Sequence, residues 1–349
     1  MSQTEIENAA FSGNIDPNGA LTMSQVVITE RGLAVFDDAA RDHVNSGRRK
    51  NTAAAYASDR RKWREYCAAF SVPEATLSVG MIVGFVEWLV TQQAAPKTIE
   101  RRVSGARLSL RADGVADLSD ADRSVVAERI RQYKRQLAET GERRGRGKAK
   151  AITVADLRKM SAALPNTLAG LRDRALLLIG FSMAARRSEL AGLWTSDIEV
   201  CPDGLCITLR SSKTSDDDVD VAIPYGTSDL TCPVQAWVTY RTAVEEHLGR
   251  ETEGKAFRRI DRHGRVLGDL SPQGVGIAFT RAAENAGIAA ERVTAHGLRA
   301  GMATEARRAG HDVKTIARQG RWVPHGAAVH GYMQTVDQWD DNALKGIGL

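Results

Sequence analysis

The stretch LRDRALLLIGFSMAARRSEL, residues 171–190, decides how the second half of this chain folds. Residues 171–185 carry Leu176, Leu177, Leu178, Ile179 and Phe181 with no proline, so they predict a strongly apolar helix with those five side chains buried. Such a helix is stable only when buried, and a domain core must be built around it. Directly after it comes Arg186-Arg187-Ser188-Glu189-Leu190, which places charge at the rim of that core. An arginine at a helix boundary is in most proteins a solvated surface charge, and Arg187 keeps that reading.

Towards the C-terminus the apolar period changes from 3.6 to 2 after Asp197. Leu205, Ile207 and Leu209 alternate with smaller residues, and so do Val219, Val221 and Ile223. The two runs predict a β-hairpin with Lys213 near its tip, beside the acidic run Asp216-Asp217-Asp218. Helices resume at Ser271-Pro272, a cap followed by proline at the first helical position. His296-Gly297-Leu298-Arg299 opens a further helix, and the i, i+3 spacing sets His296 and Arg299 on one face. Arg321-Trp322 follows a short helix begun by Asp312, and Tyr332 stands ten positions after Trp322.

Towards the N-terminus, residues 140–150 (TGERRGRGKAK) have three glycines, five basic residues and no large apolar side chain. This segment cannot pack a core, but it can lie along phosphates, and Lys148 and Lys150 belong to it. Before it, Tyr56, Trp63, Tyr66 and Phe70 recur at spacings of 7, 3 and 4, the apolar face of a helix over 51–70, with Arg60, Arg61, Lys62 and Arg64 between them. Ile99, Val103, Ala106 and Leu110 mark another helix, opened by Pro96, closed at Asp113-Gly114 and decorated by Lys97, Arg101, Arg102, Arg107 and Arg111. The expected organisation is a flexible tail (1–27), a helical domain (28–140), a basic linker (141–150) and a second domain (151–349), mainly α with a small antiparallel sheet.

Composition narrows the function. Residues 1–150 hold 24 Lys and Arg against 19 Asp and Glu, whereas the remainder holds 24 of each, so the whole net charge of +5 lies in the first part. That asymmetry points to a polyanion there. Cys67, Cys201, Cys206 and Cys232 show no C-x-x-C spacing, which argues against zinc and for reduced thiols. No apolar leader and no run of about 18 apolar residues is present, so a cytoplasmic protein without membrane attachment is expected.

Five features in one order, R-x-x-E-L at Arg186–Leu190, the hairpin Lys213, H-x-x-R at His296–Arg299, Trp322 and the late Tyr332, resemble the tyrosine recombinase (phage integrase) family. The two-domain plan resembles its Cre-type members. Each motif alone is common by chance; their joint order is not. One departure is the spacing from Trp322 to Tyr332, a residue longer than is usual, which leaves the conformation of 323–331 open.

The resemblance implies a C-shaped clamp on double-stranded DNA, a bacterial or phage protein at the nucleoid, and strand exchange through a Holliday junction. It further implies a homotetramer acting on two inverted-repeat sites, with no metal and no ATP. Arg186 and Arg299 are expected to clamp the scissile phosphate, a role suited to a planar, permanently charged fork. Glu189 would hold a basic neighbour or a histidine in register, and His296 would donate to the phosphate or relay a proton. Trp322 would offer its one N–H to a phosphate oxygen, Lys213 would protonate the departing 5′ oxygen, and Tyr332 would attack to leave a 3′-phosphotyrosine. Phosphate contacts are expected from Arg60, Arg61, Lys97, Arg101, Arg102, Arg107, Lys148 and Lys150. Two rivals stand beside this reading: a type IB topoisomerase with the same chemistry, and a regulator that keeps the fold without catalysis. Of the six tyrosines only Tyr332 follows the H-x-x-R motif, and the complete set of reactive side chains disfavours the regulator.

Overall fold

The computed structural model describes residues 50–145, 150–210, 218–251, 253–289, 293–324 and 326–340, with positions 342, 344, 345 and 347. The expected tail (1–27), Lys148 and Lys213 lie outside the described residues. The chain divides between residues 145 and 146 into two compact units.

The first unit is built from α1 (Lys50–Phe70), α2 (Val79–Thr91), α3 (Pro96–Ala112) and α4 (Asp120–Glu139). Serines start two of these helices by accepting backbone N–H groups, Ser78 from Met81 at 3.3 Å and Ser119 from Asp122 at 3.1 Å. The predicted stripe on α3 is the buried one: Ile99, Val103, Ala106 and Leu110. Trp63 and Tyr66 of α1 are buried against Phe85 of α2, with Trp63 edge-on to Phe85 at 5.3 Å. Phe70 departs from its expected place in the core. As the last residue of α1 it is 57% exposed and reaches inward only as far as the Tyr66 ring, at 5.2 Å.

The second unit begins with α5 (Val154–Ala163), α6 (Leu168–Ser182) and α7 (Arg187–Gly192). A three-stranded antiparallel sheet follows, β1 (Ile198–Cys201), β2 (Gly204–Leu209) and β3 (Val219–Pro224), in the order β1-β2-β3. Helix α8 (Pro233–Leu248), the hairpin β4 (Arg258–Ile260) and β5 (Val266–Asp269), and helices α9 (Pro272–Asn285), α10 (Ala295–Arg308), α11 (Val313–Gly320) and α12 (Ala327–Asp340) complete it. Mainly helical with a small antiparallel sheet is therefore the fold.

The core forms around α6, whose Ala175 to Ile179 are all buried. Register pairs Leu205 with Ile223 and Ile207 with Val221, so one face of the sheet carries the alternating apolar side chains inward. Helix α6 stops at Ser182, three residues before the end expected from its apolar run, because Ala184 turns back with φ 46°. Buried Asp173 ties the core together, accepting from Arg172 at 2.7 and 2.9 Å and from Arg281 of α9 at 3.0 Å. Helix α8 and strands β1, β4 and β5 had no sequence expectation.

The entry into this unit passes close over α10. Ile152 N–H donates to the Gly297 carbonyl at 3.1 Å, and a Cβ at Gly301, one turn on, would collide with the Ile152 backbone. Thr153 then starts α5 with a capping box shared with Asp156. Gly301→Ala should therefore lower stability by about 1–3 kcal/mol, the usual cost of overpacking. Urea denaturation checks this, and an unchanged midpoint would show that the crossing is not tight.

Candidate active site

The site grows from the two backbone reversals that flank the core. After α6 the chain turns at Ala184 and leaves Arg186 as the N-cap residue of α7. Glu189, three residues on, folds back: its Oε2 accepts the Arg186 backbone N–H at 2.8 Å and its Oε1 accepts from the Arg186 guanidinium. Opposite them, α11 ends at Arg321, which adopts φ 55°. Arg321 donates from Nη2 to Glu189 Oε2 and from Nη1 to the Met183 carbonyl, each at 2.8 Å. One carboxylate thus lies between two guanidinium groups.

Glu189 and Arg321 side chains are only 7% and 8% exposed, while Arg186 is 26% exposed. Burial draws the Glu189 carboxyl upward, but the Arg186 amide and the charges of Arg321 and Arg186 outweigh it and hold it below the usual carboxylate range. Glu189 is therefore an anion at neutral pH, with Arg186 partly open to solvent beside it.

Helix α10 supplies the next two groups, as its i, i+3 spacing requires. Arg299 is buried, donating to the carbonyls of Ala184 and Gly320, the latter at 3.2 Å. Its guanidinium lies 4.7 Å from the centre of the Trp322 ring, a cation–π contact. Burial, and next the nearby Arg186 charge, push Arg299 down to about 10, which leaves it cationic at neutral pH. His296 lies toward the open side of the same face, its Nε2 3.2 Å from the Tyr332 hydroxyl.

Tyr332 is placed by the packing of α12. Val329, Met333 and Val336, at i, i+4 and i+7, are buried, and Val329 and Met333 share a small core with Ala303, Ile316 and Ala317. Buried Thr304 donates to the Tyr332 carbonyl at 3.1 Å and fixes α12 against α10. This leaves the Tyr332 ring beside Trp322, with centroids 5.4 Å apart, and its hydroxyl on His296. Tyr332 thus lies within α12, which begins at Ala327, five positions after Trp322.

Arg186, Glu189, His296, Arg299, Trp322 and Tyr332 converge in one place. Arg321 has no assigned role in the sequence reading; its signal was an arginine beside Trp322 at a helix end. The basic residues of the first unit behave differently. Arg107 is held on both oxygens of Asp117 at 2.9 and 2.8 Å, Arg101 donates to buried Asp59 at 2.6 Å, and Arg60 pairs with Asp113. Arg61 and Lys97 are exposed, Arg102 is half-buried, and Lys150 is exposed in the second unit. The apolar tail residues Leu344 and Ile347 are exposed. Among the described residues no helix is long and apolar enough to cross a membrane, and no cluster of three or more His, Cys, Asp or Glu is placed to hold a metal.

A partly open cation, a buried one and a phenol–imidazole pair brought together suit an anionic ester that a hydroxyl attacks. That is the arrangement needed for a tyrosine to attack a phosphodiester. Residues 150–337 match the model of the phage integrase family, and the chain belongs to that family. An integrase/recombinase xerD homolog from Selenomonas ruminantium is 27% identical over 309 residues, 88% of each chain. The fold is shared with the Tn1549 transposon integrase solved with transposon right-end DNA (13% identity, 86% of this chain and 96% of that one, TM-score 0.56). It is shared too with a lambda integrase dimer bound to a core site (19% identity, 95% and 85%, TM-score 0.50).

His296 offers a direct check on this geometry. Burial first, then the charges of Arg299 and Arg186, hold its imidazole below the ordinary 6.5. The sign follows: a depressed histidine contributes stability that is complete above the unfolded-chain value of about 6.5 and is lost as the pH falls through the folded value. Ring-labelled NMR titration should find the His296 midpoint under 6.5, and Arg186→Ala should raise it. A midpoint at or above 6.5 contradicts the burial and charge environment described.

Proposed function

We propose that Tyr332 attacks a DNA phosphate held by Arg186 and Arg299, breaking the strand and leaving a 3′-phosphotyrosine and a free 5′ hydroxyl. As a member of its family, the protein is a site-specific tyrosine recombinase. The observation that carries the residue assignment is the Tyr332 hydroxyl 3.2 Å from His296 Nε2, on the face of α10 that also bears Arg299.

The chemistry follows from charge. Attack by an oxygen nucleophile builds negative charge on the non-bridging phosphate oxygens, and preorganised donors lower the barrier because they need not reorient. Arg186 donates from an open position and Arg299 from a buried one. His296, with its Nε2 unprotonated, accepts the phenol proton as Tyr332 attacks. Trp322, pinned between Arg299 and Tyr332, offers its indole N–H to a phosphate oxygen. Lys213 delivers the proton to the 5′ oxygen as it leaves. The ester bond to Tyr332 conserves the energy of the broken strand, so a second 5′ hydroxyl displaces the tyrosine and reseals without ATP.

In this proposal the protein binds inverted-repeat DNA as a homotetramer and exchanges strands pairwise through a Holliday junction. A lambda integrase tetramer bound to a Holliday junction shares the fold at 17% identity, 86% of this chain and 76% of that one, TM-score 0.50. The first unit supplies phosphate contacts. Arg61, Lys97 and Arg102 are its better candidates, since Arg60, Arg101 and Arg107 have acidic partners within the unit. Lys148 and Lys150 extend the contact along the linker, and the segment after Tyr332, with Trp339, Leu344 and Ile347, docks on a neighbouring protomer.

A duplex selected by the protein from a random-sequence pool, nicked to trap cleavage and resolved under denaturing conditions, tests the chemistry. The wild-type protein should leave a covalent adduct; Tyr332→Phe should bind equally and leave none. Lys213→Ala should slow cleavage about 100-fold or more, and a 5′-bridging sulfur, a leaving group that needs no proton, should restore the rate. An adduct that persists in Tyr332→Phe, or no rescue by sulfur, removes the corresponding assignment.

A further inference from the structure

We infer that Arg321 is a positioning residue for strand cleavage: it braces Glu189 from the side opposite Arg186 and so keeps the Arg186 guanidinium available to the phosphate. This rests on the reading of Arg186, Arg299 and Tyr332 as the phosphate-cleaving group.

The backbone is the first sign. Arg321 is left-handed, with φ 55°, at the C-terminal end of α11, where glycine is the residue without steric cost. A side chain there carries a penalty of roughly 1 kcal/mol that something must offset. The guanidinium accounts for it by tying three separate segments together. It donates to the Met183 carbonyl just after α6 and to Glu189 in the first turn of α7, while its own backbone leads into Trp322.

The second sign is how Glu189 divides its oxygens. Oε1 takes the Arg186 guanidinium; Oε2 takes the Arg186 amide and Arg321. With Arg321 present, the carboxylate shares its charge between two cations. Without it, the whole anion bears on Arg186 and holds that guanidinium in a closed pair. The summed charge of Arg186, Arg299, Arg321 and Glu189 also falls from +2 to +1. Arg321 gives one Nη group to the Glu189 carboxylate and the other to the Met183 carbonyl, so this inference assigns it a bracing role and not a phosphate contact.

Arg321→Gln should keep DNA affinity and lower the saturating rate of adduct formation by about 100-fold, the scale of a small misplacement in an active site. The pH profile separates bracing from general stability. Glu189 is faced by Arg186, Arg299 and Arg321, with His296 beyond them at Tyr332. Loss of Arg321 takes one positive charge from the cluster beside His296, whose imidazole must be unprotonated to accept the phenol proton, so that imidazole rises and the acid limb of cleavage should begin at a higher pH than in the wild-type protein. Arg321→Lys, whose single ammonium can serve Glu189 or the Met183 carbonyl but not both, should fall between the two in rate and acid limb, and it carries the test if the glutamine variant does not fold.

The experiment uses the full chain on the selected nicked duplex. A wild-type adduct with either Arg321 variant at the wild-type rate and acid limb overturns the bracing role alone. A rate loss without movement of the acid limb also overturns it. Absence of a wild-type adduct overturns the underlying reading, and this inference with it.

Discussion

Everything in the catalytic unit depends on one buried carboxylate. Three guanidinium groups, those of Arg186, Arg299 and Arg321, are drawn to one end of the core, two of them largely out of water. Like charges so placed repel, and their desolvation is costly unless an anion lies among them. Glu189 is that anion. It neutralises one cation's worth of charge and leaves a positive excess, which is what the proposed phosphate contact calls for.

The convergence is achieved with short pieces of chain. Ala184 and Arg321 both take left-handed backbone, and each reversal exposes a carbonyl or a side chain that a helical continuation would have hidden. Arg299 satisfies two of those carbonyls, at Ala184 and Gly320, and in doing so ties the ends of α6 and α11 to α10. Trp322 covers Arg299, and α12 settles Tyr332 beside both through Val329 and Met333. Residues separated by nearly 150 positions thus share one rigid patch, where small errors in placement would be expensive in rate.

Much of this was legible in the sequence, for identifiable reasons. The apolar run over 176–179, the alternation at Leu205 and Ile207 and the cap at Ser271-Pro272 are local signals, and each marks an element that is present. The candidate site residues were read from order and type, and six of them lie together in the fold. What was missed depends on partners far away in the chain. Nothing near Arg101 announces that buried Asp59, 42 positions earlier, is its partner. The ends of elements were equally hidden: α6 stops short because Ala184 turns back, and alanine is an excellent helix former that gives no warning of it. Phe70 kept the aromatic period and still faces solvent, since periodicity does not say where a helix leaves the core. Arg321 was visible only as a neighbour of Trp322, and its importance lies in a carboxylate 132 positions earlier.

The proposed mechanism makes Arg186, Arg299 and Tyr332 parts of a single phosphate site within one unit of the chain. A crystal structure of the protein on its nicked DNA with orthovanadate, a mimic of the pentacoordinate phosphorus, tests that most directly. Vanadium should bond to the Tyr332 hydroxyl oxygen and lie in line with the 5′ oxygen across the nick, with Arg186 and Arg299 on the equatorial oxygens. Vanadate bound to another nucleophile, or Arg186 and Arg299 turned away from its oxygens, would contradict it.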